Sequence, residues 1–263
     1  MKLRFVLVLV IVSAILLAGC QSAQEVSYLD KIQSANKVVV GTSADYPPYE
    51  YIDETGNLVG FDIELMEEIA ERMGVELEWQ DMPFDSLIAA VQEGKIDMSI
   101  SCFNYSDERA QLVDFSEPYY TSMDAFIVAE GFTGAFNEPE DATNFKVGVQ
   151  SGTVQDEWLT DELVDTGLLS ESNLSRYERV DQAALDLQVG RIDILMADDV
   201  PAKAIVSQFD GLRIIYEGML YTGPINIVLP KGAGDLQTEV NRIIADLQAE
   251  GFIDALAEKY FID

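Results

Sequence analysis

Short apolar runs alternate with amphipathic segments along the chain, and this alternation predicts strands and helices in turn. Val38–Val40 has the length and content of a buried strand. Apolar residues recur at helical spacing in Phe61–Met73, and Gly74 follows as a helix stop. Strand followed by helix is the order of parallel α/β sheets. Further strands are predicted at 75–79, 96–100, 125–129, 147–150, 175–180, 192–196, 212–216 and 225–230, and further helices at 84–93, 154–163, 182–189, 236–250 and 252–260.

The chain contains an internal repeat. Gly94-Lys95-Ile96-Asp97 is echoed by Gly190-Arg191-Ile192-Asp193, and in each copy a predicted helix precedes the glycine and a buried strand follows the aspartate. The strands that open the two halves also match, with Lys37–Val40 set against Lys146–Val149. Two similar α/β halves predict a cleft between them.

Ligands of open α/β sheets bind beyond the carboxyl ends of the strands. The residues that follow the two echoed strands, Ser101–Asn104 and Ala197–Asp199, are therefore expected to face each other across the cleft.

The N-terminus has the pattern of an export signal. Lys2 and Arg4 precede the apolar run Phe5–Leu17, which is too short for a comfortable membrane span. Leu17-Ala18-Gly19-Cys20 looks like a bacterial lipobox, so residues 1–19 are predicted to be a cleaved signal peptide and Cys20 to carry the lipid. Residues 20–36 are predicted to be a lipid-anchored tether. A plain signal peptide and an uncleaved anchor helix remain alternatives.

Composition excludes several classes of function. The 263 residues include 47 acidic and 16 basic side chains, a net charge of −31, which argues against nucleic acid as a partner. Histidine is absent, which removes Ser-His triads, Cys-His dyads and histidine-ligated zinc. With Cys20 lipidated, Cys102 has no disulfide partner. No metal and no cofactor are expected. A hydrophobic fraction of 48% permits ordinary cores.

The segment from Asp97 to Tyr120 carries a specific resemblance. It resembles the family 3 extracellular solute-binding proteins, the polar amino-acid receptors of ABC importers, and the likeness extends over essentially all of Lys37–Phe261. The motifs that carry it are Gly94–Asp97, Ser101–Arg109, Val113–Tyr120, Gly56–Leu65 and Val147–Thr153.

The resemblance implies a two-lobed α/β fold of the type II periplasmic-binding-protein kind. Each lobe is expected to hold a mostly parallel sheet flanked by helices, and two hinge strands are expected to join the lobes. The first lobe is predicted at 37–122 plus 222–263, and the second, inserted lobe at 123–221. Such a fold closes around its ligand by a hinge motion.

The implied function is binding rather than catalysis. The chain is expected to be a monomeric, extracytoplasmic lipoprotein that closes on a free polar or basic L-amino acid and delivers it to an ABC permease. One alternative is a cyclohexadienyl-dehydratase-like enzyme with Asp198, Glu117 or Asp45 as general base. The other alternative is an amino-acid sensor domain.

Arg109 is the predicted partner of the ligand carboxylate, because its planar fork suits a bidentate contact. Ser106 is expected to cap the short helix that begins at Asp107 and carries Arg109. Asn104 stands where the family often has Ser or Thr, and its amide is a further candidate. Thr153 and Val154 open a helix whose backbone N–H groups favour an anion.

Asp198 is the predicted partner of the ligand ammonium, since its offset mirrors that of Cys102 in the first half. The backbone of Ser101 and Cys102 is expected to face it. Cys102 stands where relatives have Gly or Ser and is expected to be a small packed thiol. Asp199 is the rival acid and is expected to be a capping or surface residue.

The side-chain pocket is expected to be aromatic. Tyr46 and Phe84 match the rings that sandwich the ligand in the family, and rings also attract cations. Ser43 stands where receptors of basic amino acids often have an acid, which argues against a basic ligand. Asp45, on the same loop, is the candidate substitute for that acid.

Overall fold

The computed structural model describes residues 27–220 and 223–261. The predicted signal peptide 1–19, the lipidation site Cys20 and the first part of the predicted tether lie outside these residues. Within the described residues, no helix has the length and apolar content needed to cross a membrane.

The described residues form α-helices and strands that alternate along the chain. The strands are β1 (Lys37–Thr42), β2 (Asp45–Tyr46), β3 (Glu50–Ile52), β4 (Leu58–Val59), β5 (Glu76–Asp81), β6 (Met98–Asn104), β7 (Asp114–Phe115), β8 (Tyr120–Thr121), β9 (Asp124–Ala129), β10 (Val147–Gln150), β11 (Leu174–Tyr177), β12 (Ile194–Asp198), β13 (Leu212–Gly218) and β14 (Pro224–Leu229). The α-helices are α1 (Tyr28–Ala35), α2 (Phe61–Met73), α3 (Phe84–Gln92), α4 (Asp107–Leu112), α5 (Val154–Trp158), α6 (Val180–Gln188), α7 (Asp199–Gln208), α8 (Gly234–Ala249) and α9 (Phe252–Tyr260).

Two larger sheets define two lobes. The sheet of the first lobe has the order β5-β1-β6-β14-β7, with β8 also paired to β14, and the sheet of the second lobe has the order β11-β10-β12-β9-β13. In each lobe the first strand lies between two parallel partners, and the strand that arrives from the other lobe joins in antiparallel fashion. A small sheet of β2, β3 and β4 completes the first lobe.

The chain passes between the two sheets twice, after β8 and before β14. This sheet membership supports the division into 37–122 plus 222–263 and 123–221, which we retain as a proposal. Apolar side chains cover both faces of each sheet, so the functional groups are left to the strand ends and the loops.

In both lobes the isoleucine of the internal repeat packs against a glycine of the first strand. A β-carbon added at Gly41 would lie 2.4 Å from Ile96 Cδ1, and one added at Gly148 would lie 2.3 Å from Ile192 Cδ1. Carbon atoms do not approach this closely in close-packed interiors. The isoleucine of each repeated Ile-Asp pair therefore packs onto a glycine, and a larger residue at that strand position would force the isoleucine side chain to shift.

The aspartate of each Ile-Asp pair ties the repeat to the first strand of its lobe. Asp97 Oδ2 accepts from the N–H of Val39 at 2.9 Å, and Asp193 Oδ2 accepts from the N–H of Lys146 at 2.8 Å. The N–H groups of the two aspartates donate back to the carbonyls of the same two residues, at 2.8 Å in each lobe. The motif thus aligns a new strand beside the first one.

These matched hydrogen bonds align Val39 with Lys146, and hence Gly41 with Gly148. The alignment of Lys37 with Lys146 made from the sequence is wrong by two residues. It paired lysines by type, whereas the structure pairs the glycines on which the isoleucines pack.

Three segments differ from the sequence prediction. Helix α1 lies within the range predicted as a tether, because Ser27 caps its first turn and Ile32 is buried in the core. Helix α7 was not predicted, although Ala202 and Ile205 give it an apolar face. The predicted helix 154–163 is α-helical only to Trp158 and continues as a π-helix over Leu159–Val164.

Replacement of Gly148 by alanine should destabilise the second lobe. The new methyl group meets Ile192 Cδ1, and overpacking of this kind costs about 1–3 kcal/mol. Ile192→Val removes that δ-carbon, so the double variant Gly148→Ala/Ile192→Val should be more stable than the sum of the single effects. Urea denaturation of the four proteins measures this coupling. If the effects of the two substitutions on the free energy of unfolding simply add, the contact between residue 148 and Ile192 does not explain the repeat.

Candidate functional site

A narrow cavity lies between the lobes at the carboxyl ends of the central strands. All residues predicted from the sequence as ligand contacts line this cavity, although the contact with a ligand itself stays a prediction. The lining residues are Ser43, Asp45, Tyr46, Glu50, Phe84, Ser101, Cys102, Asn104, Arg109, Gln150, Thr153, Val154, Gln155 and Asp198.

Backbone carbonyl groups and an aromatic ring hold the Arg109 side chain at the cavity. Its N–H donates to the hydroxyl of Ser106, which caps helix α4 as predicted. Its guanidinium donates to the carbonyl of Asn104 and, across the cleft, to the carbonyl of Gly152, both at 2.7 Å. The guanidinium carbon lies 5.5 Å from the centre of the Phe84 ring. A buried arginine held in this way presents a fixed charge to an anion.

The two predicted rings line the cavity and have different partners. Phe84 begins helix α3 and stacks on Phe103, with the ring centres 4.6 Å apart. Tyr46, in strand β2, reaches across the cleft instead. Its hydroxyl donates to Asp198 Oδ2 at 2.7 Å and accepts from the N–H of Asp198 at 2.9 Å. One ring is therefore fixed by its own lobe and the other by the opposite lobe.

Asp198 ends strand β12 and is 3% exposed. Its Oδ2 accepts from Tyr46, whereas its Oδ1 has no hydrogen-bond partner among the described residues. Burial raises the pKa of this carboxyl to about 7, and the hydroxyls of Ser122 and Tyr46 offset only part of the shift. A buried carboxylate oxygen without a donor suits a cationic group of a ligand.

Asp199 was expected to be a capping or surface residue, but it is buried and lies inside the first turn of helix α7 rather than at its N-cap. It is 6% exposed and belongs to the hinge: its Oδ1 accepts from the N–H of Met123 at 3.0 Å, and its own N–H donates to the Met123 carbonyl at 2.8 Å. Of the two acids, Asp198 lines the cavity and Asp199 does not, which agrees with the choice of Asp198 made from the sequence.

A pair of carboxyl groups lies beneath the end of strand β6. Glu50 accepts from the Ser101 hydroxyl at 2.8 Å, and Asp62 accepts from the Cys102 N–H and the Tyr119 hydroxyl, also at 2.8 Å. Glu50 Oε2 and Asp62 Oδ1 have no hydrogen-bond partner among the described residues, and the charge of Asp62 adds to the effect of burial on Glu50. Burial is the main cause that raises the pKa of Glu50 well above its usual value and the pKa of Asp62 to about 7.

Cys102 is a packed thiol, as the sequence indicated. It is 4% exposed, and burial raises the pKa of its thiol well above the usual value. Its φ of 50° lies in the left-handed region that glycine adopts without strain. The turn directs its backbone N–H to Asp62 rather than into the cavity.

The remaining predicted contacts offer different groups from those expected. The side-chain amide of Asn104 donates to the Ser122 hydroxyl at 3.1 Å. The main contribution of Asn104 to the site is its backbone carbonyl, which accepts from the Arg109 guanidinium. Thr153 caps the short helix α5: its hydroxyl accepts from the Asp156 N–H at 3.2 Å. Val154 lies beside it on the wall of the cavity.

Asp45 faces the opposite lobe. It accepts from the Ser43 hydroxyl at 2.7 Å, from Gln150 Nε2 at 3.1 Å and from the Val180 N–H at 2.6 Å. Burial raises the pKa of its carboxyl, and the Ser43 hydroxyl, the Val180 N–H and the Arg179 charge offset only part of the shift.

Sequence reasoning missed Glu50, Gln150 and Gln155 as lining residues. The one available signal was the position of Glu50 between Tyr49 and Tyr51, because an acid buried among aromatic residues needs a partner. Three carboxyl groups and one guanidinium thus line the cavity, so its formal charge is negative. In the described part of the chain, no three His, Cys, Asp or Glu side chains are grouped to hold a metal ion.

Comparison with known proteins gives one family. Residues 38–263 match the family model described as bacterial extracellular solute-binding proteins, family 3. The chain is 30% identical over 254 residues to the L-cystine-binding protein TcyJ of Escherichia coli, covering 95% of this chain and 93% of that protein. It is 31% identical over 241 residues to an L-arginine-binding protein of Pseudomonas aeruginosa, covering 87% of this chain and 89% of that protein.

A solved structure supports the same family. The P235GK mutant of ArgBP from T. maritima aligns with a TM-score of 0.83 and 35% identity, over 89% of this chain and 99% of that chain. The two-lobed α/β fold and the family indicated by the sequence are confirmed.

Asp198→Asn should stabilise the ligand-free protein at pH 8. The folded-state pKa of about 7 lies above the unfolded value, so the folded state holds a proton between pH 4 and 7 that the unfolded state has lost. Stability therefore falls as the pH rises through this range, and an uncharged amide avoids the loss. We expect a gain on the order of 1–3 kcal/mol at pH 8 that disappears toward pH 4.

Thermal unfolding of both proteins across this pH range measures the effect. Asp186→Asn is the matched control, because the Arg191 side chain lowers the pKa of that carboxyl and reverses the expected direction. An Asp198→Asn protein no more stable than wild type at pH 8 would contradict the cost of the buried charge.

Proposed function

Because the chain belongs to the bacterial extracellular solute-binding proteins of family 3, we propose that it is the extracytoplasmic substrate-binding component of an amino-acid ABC importer. The observation that carries this proposal is the position of Arg109 and Asp198, which face one closed cavity from opposite lobes. A free amino acid has one carboxylate and one ammonium, and these two side chains are their natural partners. The named relatives bind L-cystine and L-arginine.

Binding and closure are one event in this proposal. Arg109 of the first lobe holds the ligand carboxylate, and the backbone at Thr153 and Val154 contributes from the second lobe. Asp198 of the second lobe takes the ammonium on Oδ1, the oxygen that has no hydrogen-bond partner in the part of the chain that the structure describes. Since the contacts come from both lobes, the ligand favours the closed state and the open state releases it to a permease. A clamp for both ends of an amino acid favours this role over the dehydratase alternative.

We propose a basic amino acid as the ligand. Arg109 and Asp198 neutralise the two ends of the ligand, which leaves Asp45 and Glu50 as further acids on the cavity wall. Asp45 is already surrounded by donors, so Glu50 is the acid that suits a side-chain cation. A ligand cation beside Glu50 favours the ionised form of this carboxyl and offsets the effect of burial on its pKa. Ser43 stands where receptors of basic amino acids often have an acid. Its presence does not argue against a basic ligand here, because Glu50 supplies an acid from another position.

We propose that Cys20 anchors the mature chain to the outer face of the cell membrane. The support is the order of a basic start, a short apolar run and Leu17–Cys20, together with the extracellular character of the family. Two or more acyl chains give stable anchoring. The chain is expected to act as a monomer in this position.

A ligand screen tests the function and the substrate class together. We expect the chain from Gln21 onward to show thermal stabilisation by L-arginine, L-lysine or L-ornithine in a panel of the twenty L-amino acids with ornithine, citrulline and cystine. L-Citrulline, the uncharged counterpart of arginine, should stabilise less. Arg109→Ala should lose about 2–5 kcal/mol of binding free energy for every ligand.

Glu50→Gln separates the substrate class from the general function. It should reduce affinity for basic ligands and reduce the preference for arginine over citrulline, because the ligand cation loses its acid. Glu54→Gln, an exposed change in the same hairpin, is the matched control. A flat screen of folded, ligand-free protein refutes the amino-acid receptor, and an unchanged preference in Glu50→Gln refutes only the role of Glu50.

Cys20→Ala should move the chain from the membrane to the soluble fraction. Expression in a bacterium that processes lipoproteins, followed by membrane sedimentation and detergent extraction, measures the distribution. Cys102→Ala is the matched control, since it removes the other thiol and should leave the chain on the membrane. Equal sedimentation of wild type and Cys20→Ala would contradict the anchor.

A further inference from the structure

A set of polar side chains joins the two lobes at the edge of the cavity. We call it the rim cluster and define it as Ser43, Asp45 and Asp81 of the first lobe with Gln150 and Arg179 of the second. It extends from the buried wall of the cavity, where the Asp45 side chain is 6% exposed, to the solvent, where that of Asp81 is 44% exposed. Arg109, Asp198 and Glu50, the ligand partners of the proposed function, do not belong to it.

Arg179 makes the most extensive contact of the rim cluster. Its two terminal nitrogens donate to the two carboxylate oxygens of Asp81, at 3.0 and 3.2 Å. The same guanidinium lies 3.4 Å from the Ser43 hydroxyl and 3.6 Å from Asp45 Oδ1. This is the fork-to-fork geometry that arginine adopts with carboxylates, and lysine cannot reproduce it.

Asp81 and Asp45 transmit this contact to the cavity. Asp81 Oδ1 also accepts from the N–H of Ala44 at 3.0 Å, so it holds the loop between strands β1 and β2. Asp45, the next residue of that loop, accepts from Gln150 and from the Val180 N–H of the second lobe. Arg179 and Val180 are consecutive, so one short segment of the second lobe makes these hydrogen bonds to the first lobe.

Opening of the cleft must separate these partners, because each of the contacts of Arg179 with Ser43, Asp45 and Asp81 crosses between the lobes. The contacts need no ligand atom. A cross-lobe ion pair of this kind stabilises the closed state and has no counterpart in the open one. Arg179 and Asp81 are partly exposed, so salt screens their attraction.

We propose that Arg179 is a positioning residue for closure, which holds the loop of Ser43 and Asp45 against the second lobe through Asp81 and thereby sets the rate of ligand release. The inference rests on the proposed function, since release is taken to require opening of the lobes. Arg179 is not among the residues that line the cavity, so it acts through Asp45 and Asp81.

Stopped-flow kinetics with L-arginine test this role. Arg179→Gln and Asp81→Asn should each raise the dissociation rate constant about 3- to 10-fold, the range set by partly exposed ion pairs with good geometry. The association rate constant should change less than about twofold, because affinity differences within one interface lie mostly in dissociation. Arg179→Lys keeps the charge without the fork and should fall between wild type and Arg179→Gln.

Charge-matched controls separate closure from long-range attraction. Arg191→Gln removes a positive charge whose partner Asp186 lies in the same lobe, and Glu78→Gln removes a negative charge from the strand that carries Asp81. Both should leave dissociation unchanged. High salt should accelerate dissociation from wild type and from these controls, and have a smaller effect on Arg179→Gln. The double variant Arg179→Gln/Asp81→Asn should dissociate no faster than the faster single variant.

The outcomes are distinct from those of the function test. Wild-type protein that binds no amino acid overturns the proposed function, and this inference with it. Wild-type protein that binds L-arginine, with unchanged dissociation in Arg179→Gln, overturns only the role of Arg179. The role of Arg179 is also overturned if dissociation becomes faster only in variants whose ligand-free form loses thermal stability. Such a loss would show that Arg179 supports the fold rather than closure.

Discussion

The structure depends on one constraint: charged groups buried between two lobes must find their partners across the gap. Asp198 of the second lobe is 3% exposed, and its hydrogen-bond donor is Tyr46 of the first. Arg109 of the first lobe donates to the carbonyl of Gly152 in the second. A charge that leaves water without such a partner costs several kcal/mol. Each lobe is therefore electrostatically incomplete alone, and closure supplies what is missing.

The two lobes share an architecture but not a chemistry. Strand pairing sets Val40 beside Met98 in one lobe and Val147 beside Ile194 in the other. Four residues further along each second strand lie Cys102 and Asp198. The packed Gly and Ile positions and the Asp hydrogen bonds are retained in both copies because they align the strands. The residues at the strand ends do not align the strands and are free to differ. One copy therefore ends in the buried thiol of Cys102 and the other in the buried carboxyl of Asp198.

This division explains what the sequence predicted and what it did not. Periodicity and glycine stops located Phe61–Met73 and Val147–Gln150 at their observed bounds, because local burial decides those elements. Arg109 and Asp198 were found through motifs at strand ends. Glu50 was missed, because its burial depends on strand β6, which no local pattern reports. Helix α1 was missed because its apolar face is covered by distant residues of α8.

The contacts between the lobes are polar for a physical reason. A receptor that must reopen cannot bury a large apolar interface, because the free energy of that burial persists whether or not a ligand is present. Hydrogen bonds and ion pairs between the lobes exchange with water on opening at small net cost. In a chain with a net charge of −31, Arg109 and Arg179 are placed where the two lobes meet. Their charge offsets the repulsion between acidic lobes at closure, which leaves the ligand to decide the balance between the open and closed states.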